Sequence, residues 1–159
     1  MSYINKQLYG NVIPKEVAIF KQEIINEVQE ISQDNPSMER LLGTTITVDV
    51  EHMEIIETEV GVSNEGQRLS GIKLLVQLSI CEQTSYVGDH CTQPVHGEYF
   101  ESHRSFFVIM PETIDGRSVC DYQDELQVTA YIEDIETRML DSRHLQKCIM
   151  LLINVTLGE

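Results

Sequence analysis

No stretch of the chain approaches the roughly 18 consecutive apolar residues of a membrane-crossing helix. The N-terminal MSYINKQLYG likewise has neither the basic nor the apolar region of a secretory signal. The expectation is synthesis in a cytoplasm without membrane insertion. Basic residues are scarce: 11 Lys and Arg against 26 Asp and Glu leave a formal net charge of -15. That balance argues against nucleic acid or an anionic membrane surface as partner. A DxDxDG-type calcium loop is missing too, so the acidic excess reads as solvated surface. The phosphate cradles GxGxxG and GxxxxGK[ST], the nucleophile elbow GxSxG and the zinc helix HExxH are all absent. No residue is marked as catalytic, no cofactor is implied, and the chain is expected not to be an enzyme.

There is no CxxC pair. Cys81, Cys91, Cys120 and Cys148 are spread over four segments, a pattern of thiols in a reducing cytoplasm that become candidate crosslinks where oxidants reach them. Cys148 reads as a small apolar residue, and Cys91 as an exposed thiol suited to a disulfide within or between chains. Cys81, His90, Cys91 and His96 lie within a short span, but adjacent His90 and Cys91 point apart on an extended chain and the spacing fits no zinc finger or knuckle. No metal is expected. The acidic groups Asp121, Asp124, Glu125 and Glu133, Asp134, Glu136 mark no pocket and suit edge charges that discourage strand pairing.

What is present is alternation. Leu126, Val128, Ala130 and Ile132 alternate with polar residues. After a turn at Leu140, Asp141, Ser142 and Arg143, a return strand carries Leu145, Ile149, Leu151, Ile153, Val155 and Leu157. On its other face Cys148, Met150 and Leu152 are also apolar, so the strand should be covered on both sides, by a second sheet or another subunit. Ile46, Val48 and Val50 form a strand whose phase changes near residues 52 to 56, as at a bulge. Ile72 to Ile80 reads as a core strand, and Phe100, Phe106, Val108 and Met110 share one face of a strand ending at Pro111. Asn64, Glu65 and Gly66 mark a turn, and residues 82 to 97 a long polar loop or poor edge strand. Val17, Phe20, Ile24, Val28 and Ile31 suit a helix slightly better than a strand, while Asn35, Pro36 and Gly43 bracket a short helix.

These elements predict an all-β, mainly antiparallel fold: a β-sandwich or open barrel of about six to seven strands with one short helix. Residues 17–157 form one domain, with no repeat or linker, behind an N-terminal arm of residues 1–16. Tyr3, Ile4, Leu8, Tyr9, Val12 and Ile13 give that arm an apolar content a solvated tail does not need, and suit it to docking on a sheet edge.

The run YIEDIETRMLDSRHLQKCIMLLINV resembles the C-terminal hairpin of the SPOCS domain of spore-coat assembly proteins in endospore-forming bacteria. Upstream, FKQEIINEVQEI, NPSMERLLGTTITVDV, GIKLLVQLSI and FFVIMP resemble that domain's other segments in the same order, over about residues 17 to 157. The resemblance implies a strand, not a helix, for Phe20 to Ile31. It also implies a non-enzymatic role in the spore envelope, with synthesis in the mother-cell cytoplasm and deposition on the spore surface. One type of member carries a C-terminal peptidoglycan-binding LysM module, and none is expected here. The expectation is therefore a self-assembling subunit of a coat or exosporium layer or a spore-surface appendage. Its partners would be itself, as homo-oligomer or filament, and other spore-envelope proteins. Candidate self-assembly contacts are the six arm residues, Met150 and Leu152. The alternative is an adaptor recruited to a spore morphogenetic scaffold.

Overall fold

The computed structural model describes residues 13–14, 18–69 and 71–158. The fold is all-β and antiparallel. Six long strands carry it: β1 (Ile19–Glu30), β2 (Met38–Glu57), β5 (Ile72–Gly88), β6 (Val95–Ile109), β9 (Leu126–Met139) and β10 (His144–Leu157). The two-residue strands β3 (Gly61–Val62), β4 (Arg68–Leu69), β7 (Thr113–Ile114) and β8 (Arg117–Ser118) form two small hairpins in the connections. The β7–β8 turn places Asp115 and Gly116 at φ 52° and 78°, the left-handed conformation that two-residue hairpin turns require.

Sheet one is ordered β1-β10-β9 and sheet two β2-β5-β6. The sheets face each other, β1 running beside β6 and β9 beside β2. Alternate residues of each central strand point between them. Leu74, Val76, Leu78 and Ile80 of β5 are fully buried, as are Leu145, Ile149, Leu151 and Ile153 of β10. One apolar cluster joins both sheets through all of these but Leu145, together with Ile25, Ile46, Val108 and Ile135, which is the hydrophobic drive for the pairing. The expected bulge in β2 falls between Val50 and His52.

Two expectations are corrected. The only helix among the described residues is a single 3-10 turn, Val119–Tyr122. The segment that Asn35, Pro36 and Gly43 bracket as a helix is instead the start of β2, where Arg40, Leu41 and Gly43 pair with Val87, Tyr86 and Ser85 across two register shifts. Those shifts break the period-two signal, and burial of Met38 with Ile31, Tyr86 and Leu145 in a second apolar cluster overrides the local helix preference. The polar stretch 82 to 97 is no long loop: β5 runs on to Gly88 and β6 begins at Val95. Phe20 to Ile31 lies in strand conformation as far as Glu30, as the resemblance implies and against the helical period.

The turn between β9 and β10 anchors this end of the sandwich. Asp141 Oδ1 accepts the Arg143 backbone N–H at 2.8 Å and its carboxylate meets the His144 ring at 2.8 and 2.9 Å. The Arg143 guanidinium then donates to the carbonyls of Asn35 at 2.9 Å, Ile31 at 3.0 Å and Ser32 at 2.7 Å, clamping the β1–β2 connection. Arg143→Ala should lower the unfolding free energy by about 1.5–3 kcal/mol, the worth of one charge-assisted hydrogen bond, because the outer carbonyls recover water. A shifted denaturant midpoint checks this, and lysine should not rescue it, since an ammonium cannot reproduce the planar fork.

The backbone N–H of Arg143 and the His144 ring also hold the Asp141 carboxyl below its ordinary pKa. A carboxylate with a depressed folded-state pKa contributes stability above its unfolded value and loses it as pH falls through the folded one. The turn should therefore weaken only below the usual aspartate range. Chemical-shift titration of Asp141 reads this directly, and Asp141→Asn should flatten the acid limb of the stability curve.

Candidate functional site

Two features stand out: an apolar surface along one side of the sandwich and a charged cluster inside it.

The surface follows from the sheet orders. β1 and β6 end their sheets on one side, β2 and β9 on the other. On the β2/β9 side, apart from Leu42 near the start of β2, the outward residues are polar or charged: Asp49, Glu51, His52 and Glu54 on β2, Asp134, Glu136 and Arg138 on β9, all exposed. Such residues discourage edge-to-edge pairing. The β1/β6 side differs. On β1, Phe20, Ile24 and Val28 are 46%, 61% and 59% exposed, and Tyr99 and Phe107 of β6 are also exposed. Ile24 pairs in register with Met150 of β10, which is 39% exposed, so the row extends onto the outer face of sheet one. Lys21 Nζ sits 4.0 Å from the Phe107 ring centre, joining the two edges.

The return strand β10 is thus covered on one face by the second sheet and left partly open on the other. Met150 remains available for contact, whereas Leu152 is only 5% exposed in the single chain, which corrects its place among the assembly contacts. The reason is local. Leu152 lies between Gln22 and Tyr131 in the register, and Gln22 Nε2 donates to Glu133 at 3.0 Å across β10, roofing it over. Of the arm residues, Ile13 is exposed; Tyr3, Ile4, Leu8, Tyr9 and Val12 lie outside the described residues.

All four cysteines are free thiols. Cys81 and Cys148 occupy the outer faces of opposite sheets, so they cannot pair within one sandwich. Cys81 lies half-buried against Tyr99, whose phenol it holds up at about 12 by hydrogen bonding. Cys120 sits in the 3-10 turn with Sγ 3.8 Å from Glu57 Oε1, and Cys91 is exposed in the β5–β6 loop. His96 stacks on Tyr86 between the sheets, whereas Cys81 lies on the outer face of sheet two. Among the described residues no three His, Cys, Asp or Glu side chains gather as metal ligands, and none of the described helices is long and apolar enough to cross a membrane. A small cleft of about 250 Å³ on the outer face of sheet one is lined by Asn26, Glu136, Arg138, Gln146 and Cys148.

The internal cluster was missed by the hydropathy reading. Lys147 and Glu82 are both fully buried between the sheets, with Lys147 Nζ 3.9 Å from Glu82 Oε2 and 4.5 Å from the Phe100 ring centre. Gln29 Nε2 donates to Glu82 Oε2 at 2.6 Å and to Glu27 Oε1 at 2.9 Å. Arg104 Nη2 donates to Glu27 Oε2 at 2.6 Å. Burial pushes the Lys147 amine down to about 8, opposed by the charges of Glu82 and Glu27. Burial likewise pushes Glu82 up, against the attraction of Lys147 and the bond from Gln29. One signal in the sequence could have exposed the cluster: Lys147 interrupts the inward row of Leu145, Ile149, Leu151, Ile153 and Val155 at a position whose parity demands burial.

Comparison with protein-family models, with curated proteins and with solved structures finds no match to this chain.

Proposed function

We propose that the protein is a non-enzymatic structural subunit that assembles with copies of itself through the β1/β6 side of the sandwich. The N-terminal arm of one copy adds to the free edge there on the next. One observation carries the reading: the exposed row Phe20, Ile24, Val28 and Met150 on and beside an unpaired edge strand, while the opposite edges carry charge. In a chain of net charge -15, an apolar row on an open edge invites strand pairing. Its setting, a coat, exosporium layer or appendage of the bacterial endospore, rests on the resemblance of the hairpin and upstream segments to the SPOCS domain. Cys91, exposed in its loop, is the thiol best placed to lock contacts between copies, and Cys148 beside Met150 borders the same face.

Electron microscopy of the purified protein with and without residues 1–16 tests the reading. The full chain should form multimers that the truncated chain does not, and a reductant should loosen those stabilised by disulfides. Monodisperse single copies in both samples would overturn it.

A further inference from the structure

Lys147 is an anomaly in the core. It occupies an inward position on β10 among fully buried apolar residues, has no exposed surface, and its Nζ makes no hydrogen bond. An ammonium so placed forfeits hydration without full replacement. Glu82, opposite it on β5, is equally buried and asymmetric: Oε2 accepts from Gln29 at 2.6 Å, whereas Oε1 has no partner. Burial favours the neutral form of each group. Transfer of one proton from the ammonium to the carboxylate, 3.9 Å away, therefore leaves a neutral amine facing a neutral carboxylic acid in a water-poor interior. One acid oxygen is held by a donor and the other is free to leave.

We propose that Lys147 and Glu82 condense to an intramolecular amide, a covalent cross-link between the two sheets. The Nζ lone pair adds to Cδ of protonated Glu82, and the carbonyl electron pair moves onto Oε2, where the Gln29 amide stabilises it. The proton lost by Nζ passes to Oε1, with Glu27, the register partner of Lys147 on β1, as the neighbouring carboxylate of the cluster. Collapse of the tetrahedral carbon expels Oε1 with two protons as water, one of them the former amine proton. The product is a secondary amide that keeps one N–H. No oxidant or co-reactant is needed, and two buried ionisable groups become one uncharged link. Proximity of nucleophile and acyl carbon in a rigid core supplies the rate advantage of an intramolecular reaction. A bond tying β5 to β10 would also resist pulling along a chain of assembled subunits, although the chemistry does not depend on assembly.

Intact mass spectrometry of the full chain, with a tryptic map, tests this. The protein should weigh one water less than its sequence. Because an acylated lysine is not cut, residues 74–104 should appear joined to residues 144–159. Lys147→Arg should restore the full mass if it folds. A wild-type digest that returns 74–104 and 144–147 as separate peptides overturns the proposal, as does a water loss mapped elsewhere in the chain.

Discussion

Replacing Leu78 with alanine should lower the unfolding free energy by about 2–5 kcal/mol, the cost of lost apolar burial plus the cavity left behind. Leu78 sits at the centre of β5, itself the central strand of its sheet, and is fully buried. Members of the same cluster on the facing sheet, among them Ile149, Leu151 and Ile153 of the central strand β10, are held by two ladders each and cannot collapse freely into the space. The matching change on the outside, Ile24→Ala, should leave stability within about 0.5 kcal/mol, because it empties no core. Equilibrium denaturation of the two variants measures the contrast. Equal losses would mean that the row on β1 is part of the single-chain core rather than an outer surface.

The second large effect concerns association. Putting aspartate at both Ile24 and Val28 should raise the dissociation constant between copies by roughly 100-fold or more. Each buried Ile or Val side chain contributes about 1.5–3 kcal/mol, and every 1.4 kcal/mol is about tenfold. Two new carboxylates on a chain already at -15 add repulsion between copies. Folding should survive, since both positions face solvent in the single chain.

The sequence made the sheets legible wherever apolar and polar residues alternated cleanly. Ile72 to Ile80 and the Leu126–Leu157 hairpin are where period two placed them, and the turn at Asp141–Arg143 works through the side-chain-to-backbone bonding expected of it. Legibility ended where the inward positions turned polar. Glu82 and Thr84 continue the buried row of β5, and their hydrogen-bond partners are long-range: Gln29 for one carboxylate oxygen of Glu82, and Thr44 for Thr84. Thr137 in turn donates to Thr44 at 3.3 Å, so a hydroxyl chain links the sheets where hydropathy reads only a loop. The start of β2 was hidden for a different reason. Its capping residues are those of a helix, and only pairing with Tyr86 and Val87, far along the chain, makes it a strand. The proposed assembly surface was half visible. Met150 was flagged by its apolar neighbours on β10, but Phe20, Ile24 and Val28 share helical as well as strand spacing, and nothing in their pattern says that β1 ends its sheet.

Sedimentation velocity on the wild-type chain beside the Ile24→Asp, Val28→Asp variant, over a range of concentrations, tests the central claim most directly. The account predicts wild-type species larger than one copy that grow with concentration, and a folded variant that stays a single copy throughout. A wild-type chain that remains a single copy, or a variant that assembles as well as the wild type, would contradict it.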